Sequence, residues 1–78
     1  MNTIICNGIE YKVETDHTNV ALCDMSTDAV LIEATFDHNT EQLFVNVIEE
    51  DEQETLSYFE FVNNTEALAE WMANRLFV

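Results

Sequence analysis

Ile4-Ile5-Cys6-Asn7-Gly8-Ile9-Glu10-Tyr11-Lys12-Val13 sets the architecture of this chain. Asn-Gly supplies the two positive-φ positions of a type I′ turn, whose twist matches that of two paired strands. With the turn fixed, Cys6 lies opposite Ile9 and Ile4 opposite Tyr11. Ile4, Cys6, Ile9, Tyr11 and Val13 then share one face, while Thr3, Glu10, Lys12 and Glu14 share the other. Ile5 alone breaks the alternation.

Downstream of this hairpin, residues 15–28 are ambiguous. Thr15-Asp16-His17-Thr18-Asn19 reads as a loop. Val20-Ala21-Leu22-Cys23 suits a short strand or one helical turn equally, and periodicity does not choose between them. Ala29 to Phe36 alternates as a strand, with Val30, Ile32, Ala34 and Phe36 on one face. Asp37-His38-Asn39-Thr40 has turn chemistry. Gln42 to Ile48 groups Leu43, Val45 and Val47, with Phe44 and Ile48 on the other side. Residues 55–62 read as a further strand after the acidic run Glu49-Glu50-Asp51-Glu52-Gln53-Glu54. A C-terminal helix follows, with Asn63 as the expected cap and Glu66 three residues on in a capping box. Leu68, Trp71, Met72 and Leu76 form its apolar stripe, and Arg75 in the last turn suits the helix dipole.

These signals predict one α+β domain over residues 1–78: an antiparallel sheet of four to five strands with the C-terminal helix packed on one face. The uncovered face and the loops are left to carry most of the acids.

Charge is the strongest compositional signal. Sixteen Asp and Glu stand against two cations, giving a net charge of −14. A net charge of roughly 2–8 keeps a small domain soluble, and further like charge destabilises the compact state. The excess points to a basic partner. At 47% hydrophobic, with five Phe, two Tyr and one Trp, the chain is too apolar for the acidic disordered class. No apolar run reaches membrane-spanning length, and the first residues lack a signal-peptide pattern. A cytoplasmic protein with reduced thiols is expected.

Motif chemistry is sparse. An EF-hand loop needs a central glycine, and Gly8 is the chain's single glycine. Cys6, Cys23, His17 and His38 lack the spacing of a zinc site, so no metal or other cofactor is expected. Nucleophile motifs and phosphate-binding glycine loops are absent, so the chain reads as a non-enzyme. The sequon Asn63-Asn64-Thr65 is a coincidence in a chain without a secretion signal.

The acids have a more specific property, their spacing. Alternate strand residues stand about 6.6 Å apart along one face. Glu50, Glu52 and Glu54, if extended, form such a row, and Glu49 and Asp51 lie in the same run. Glu10 with Glu14, Glu33, and Glu60 add charges from three separate strands of one sheet face. A rigid face of carboxylates set against a cationic groove excludes nucleic acid from it. Phe44 and Ile48, with Ile5, lie opposite the expected core face. They are either covered by residues 15–28 or form a partner or homodimer contact.

In size, charge balance and a meander with one helix, the chain resembles the small acidic anti-defence proteins of phages and mobile elements, anti-CRISPR proteins and other DNA mimics. The resemblance is one of class, with no diagnostic motif. It implies inhibition of a nucleic-acid-binding machine, such as a CRISPR effector subunit, by occupation of its basic surface, in the cytoplasm of the host cell and without direct binding of nucleic acid. An acidic immunity protein or antitoxin that neutralises a cationic nuclease is the alternative. A halophile's housekeeping domain fits less well, given eight Asn and abundant Phe and Ile.

Overall fold

A computed structural model of the chain describes residues 3–77. Six strands, β1 (Thr3–Cys6), β2 (Ile9–Thr15), β3 (Asn19–Asp24), β4 (Val30–Asp37), β5 (Gln42–Val47) and β6 (Glu52–Leu56), precede a single helical turn, α1 (Tyr58–Phe61), and a helix, α2 (Thr65–Phe77). The strands pair antiparallel in chain order from β1 to β6. The class is α+β, with six strands where four or five are expected.

The Asn-Gly turn forms as its chemistry dictates, with φ of 53° at Asn7 and 80° at Gly8. Cys6 pairs with Ile9 and Ile4 with Tyr11. The ambiguous segment 15–28 supplies the extra strand, β3. It pairs Val13 with Leu22 and Thr15 with Val20 on one side, and Val20 with Ala34 and Leu22 with Ile32 on the other. A helical turn there would leave β2 and β4 each with one edge unpaired.

Sequence alternation fails at one place in β4. Leu22 pairs with Ile32 and Cys23 with Val30, so Leu31 is an extra residue. Its carbonyl accepts the Ile48 N–H at 3.1 Å. This bulge turns Val30 away from the face of Ile32, Ala34 and Phe36, leaving Val30 exposed opposite Cys23. A bulge re-aims side chains by one position, which a strict period of two does not register.

The strand expected over 55–62 is shorter. β6 ends at Leu56, and residues 58–61 coil into α1, which buries Phe61 and leaves Phe59 exposed. Tyr58 and Phe61 sit three apart, a helical spacing that also suits two residues beside an alternating strand. The cap of α2 moves by one residue as well. Asn64 Oδ1, not Asn63, accepts an N–H, that of Ala67 at 3.2 Å. Ala67 therefore occupies the third helical position, and Glu66 makes no capping box.

α2 crosses the face built by Tyr11, Val13, Val20, Leu22, Ile32, Ala34, Phe36, Leu43, Val45 and Val47. Its buried stripe is Leu68, Ala69, Met72 and Ala73. Trp71 and Leu76, expected in the stripe, flank it half-buried. Two alanines, Ala69 and Ala73, stand at the contact, with the larger Trp71 and Leu76 at its sides. At one end His38 ties the β2–β3 and β4–β5 turns to α1: Nε2–H donates to the His17 carbonyl at 3.1 Å, while Nδ1 meets the Tyr58 hydroxyl at 2.7 Å.

Candidate partner-binding face

The sixteen acids divide by what they touch. Three build turns. Asp16 accepts the Thr18 and Asn19 N–H groups at 2.8 Å each. Asp24 accepts those of Ser26 and Thr27 at 2.7 and 3.0 Å. Asp37 accepts those of Asn39 and Thr40 at 3.0 and 3.3 Å. Each closes an Asx turn between consecutive strands. Donation to the carboxylate favours its charged form. Thr18 and then Asn19 hold Asp16 below the ordinary aspartate range, Ser26 and Thr27 do so for Asp24, and Thr40 does so for Asp37.

Four more acids face the two cations. Lys12 Nζ lies 3.4 Å from Asp28. Arg75 gathers three glutamates, with Glu54 at 2.8 Å, Glu52 at 2.9 Å and Glu50 at 3.5 Å. Glu54 leads in keeping that guanidinium firmly protonated. This corrects the expected acidic row. Glu52 pairs with Val47 and Glu54 with Val45, residues of the covered face, so both side chains turn toward α2. They close the sheet-helix seam instead of projecting from it. Glu49, Glu50 and Asp51 remain exposed in the turn before β6. Glu60 is exposed on α1, so it adds nothing to the sheet face.

Twelve of the sixteen carboxylates have no lysine or arginine within ion-pair distance. Glu10, Glu14 and Glu33 among them share the open sheet face, as the register requires. Glu10 stands opposite Ile5, and Glu14 and Glu33 both stand opposite Ala21. Glu14 and Glu33 are therefore two strands apart, about 10 Å, and Glu10 and Glu14 about 13 Å apart along β2. The short Ala21 side chain floors a shallow hollow of about 290 Å³ between the two glutamates, walled by Thr15, Asp16, Asn19 and Val30.

Two of the hollow's walls carry no sequence signal. Val30 reaches it through the bulge, and Asp16 through its Asx turn. Beneath the face Cys23 is fully buried and donates its thiol to Glu14 Oε1 at 3.4 Å. Burial, then the neighbouring Glu14, pushes that thiol's pKa up, which makes it a weak nucleophile. Cys6 lies on the other face, beside Asn74. No group of three or more His, Cys, Asp or Glu among the described residues is arranged to hold a metal ion.

Phe44 is half-buried on the open face, opposite Thr35 and Thr55. Ile48 is exposed just beyond the end of β5. Residues 15–28 supply β3, paired between β2 and β4, and the turns on either side of it, and do not cover either one. Among the described residues no helix is long and apolar enough to cross a membrane. No family model matches the chain, and neither the curated proteins nor the solved structures give a match.

Proposed function

We propose that this chain is an inhibitor that mimics nucleic-acid charge and occupies the basic DNA-binding surface of a bacterial defence complex, in the manner of an anti-CRISPR protein. The observation that carries this reading is the open sheet face. Glu10 and Glu14 on β2 and Glu33 on β4 stand there on either side of β3, and Lys12, the one cation among them, is engaged by Asp28. Their spacing is sparser than a phosphate backbone, which carries one charge per about 1.7 Å of duplex. Recognition therefore combines long-range attraction with local contact, a partner lysine or arginine entering the hollow over Ala21 and an apolar group meeting Phe44. Oriented carboxylates steer a cationic partner at low salt, and screening within about 8 Å at physiological ionic strength weakens that steering.

The test is competition with DNA for the nucleic-acid groove of CRISPR effector complexes. Glu10→Lys, Glu14→Lys and Glu33→Lys combined should keep the melting transition and reduce inhibition by at least tenfold. The wild-type association rate should fall steeply with added salt. A folded triple variant that inhibits as well as wild type refutes the reading.

A further inference from the structure

The two edges of the sheet differ in a way that the inhibitor reading does not use. At the β6 edge, Glu52 and Glu54 guard the strand, and charge on an edge is a standard obstacle to added strands. The β1 edge has no such guard. From Thr3 to Ile9 the sequence carries no acidic or basic side chain. Ile5, at 68% exposure, is the most exposed large aliphatic residue among the described residues.

Hairpin geometry also fixes where the β1 backbone points. Cys6 and Ile9 close a two-residue turn and form a hydrogen-bonded pair, so hydrogen-bonded pairs alternate from there along the ladder. Cys6 and Ile4 direct their N–H and C=O groups inward to β2. Thr3 and Ile5 direct theirs outward, past the last strand. Among the described residues, the edge thus offers unpaired donors and acceptors beside an exposed isoleucine. Ile9, at 48% exposure, extends the apolar strip on the helix side. Phe77, at 60%, lies one turn beyond Asn74, whose side chain accepts from the Cys6 thiol.

We infer that β1 pairs antiparallel with β1 of a second copy, joining two sheets across a two-fold axis at Ile5. An isologous contact needs a strand that matches itself. Here Ile5 faces its own copy on the open side, and Ile4 faces the copy's Cys6 on the helix side. The inward and outward hydrogen-bonding pattern of β1 is the same in both copies, so the two ladders mesh. Charge selects this occupant. A cationic strand gains nothing from an edge without carboxylates, whereas a neutral one meets no mismatch. In two chains of net charge −14 this edge strand itself carries no acid, Lys12 stands opposite Thr3, and the nearest acids, Glu10 and its copy, lie one strand back from the axis on either side. The glutamates of both open faces stay uncovered.

Sedimentation of the purified protein across a concentration series, with amide hydrogen exchange at both ends of the series, tests this. Doubling of the molar mass is expected, with Ile5 N–H exchanging freely in the dilute protein and at least tenfold more slowly in the concentrated one. Ile5→Lys places two like charges at the axis while lowering the overall repulsion. It should raise the dissociation midpoint at least tenfold with the melting transition kept, and Phe44→Asp should leave the midpoint in place. A chain that stays monomeric at the top of the series overturns the inference. So does a dimer in which the Ile5 amide gains no protection, a result that needs no variant.

Discussion

The covered and open faces of this sheet are built from the same strands, residue by residue, yet they are opposite in character. On β3, Leu22 is sealed beneath α2 while its neighbour Ala21 floors an acid-lined hollow. The covered face admits glutamate only at its margin, where Arg75 collects Glu50, Glu52 and Glu54. The open face holds Glu10, Glu14 and Glu33 with no arginine near them. An acid in this protein therefore has a meaning set by its face. On one side it locks the helix to the last strand, and on the other it stands without an ion-pair partner.

Truncation on the covered side is the harshest way to break the contrast. Leu22→Ala should destabilise by about 2–5 kcal/mol, the cost of a buried leucine plus the cavity it leaves. Glu33→Gln, on the next strand of the open face, should shift the urea midpoint hardly at all. A comparable loss from both would erase the distinction between the faces.

Removing the margin's cation comes next in size. Arg75→Met keeps the aliphatic stem and strands three glutamates together, so the melting temperature should drop. Adding Glu52→Gln and Glu54→Gln should recover part of the drop, because neighbours sharing one partner are not additive. If the glutamine changes bring no recovery, Arg75 acts by packing and not by charge.

Acid titration sharpens the comparison with a smaller effect. Asp16, Asp24 and Asp37 have depressed folded-state pKa values. Their contribution is complete above the unfolded value of about 3.9 and is lost as pH falls through the lower folded values. Replacing all three with Asn keeps a turn acceptor and removes the titration. Relative to wild type, the triple variant should lose less stability between pH 4 and pH 2, read by thermal melts. Parallel pH profiles for the two proteins would show that these carboxylates do not titrate with folding.

Much of this arrangement was legible in the residues. Asn7-Gly8 determined the first hairpin and its register, since few residues accept two successive positive φ values. Alternation from Ile32 to Phe36 and from Leu43 to Val47 determined which side of each strand is apolar. The spacing of Leu68 and Met72 determined that residues after 64 form an amphipathic helix. Composition determined the excess of negative charge. Tertiary structure decided the rest. Within residues 15–28, Asn19–Asp24 became a strand because β2 and β4 each had a ladder to complete, which no local signal encodes. One extra residue at Leu31 moved Val30 to the other face, and the pairing partner that reveals a bulge lies on another strand. Glu52 and Glu54 look in sequence like part of a solvated run. They became clamps because Arg75, 23 and 21 residues away, arrives over them only when α2 crosses the sheet. Local periodicity assigns a side chain to a face, but only packing decides which face is covered and which charges then meet.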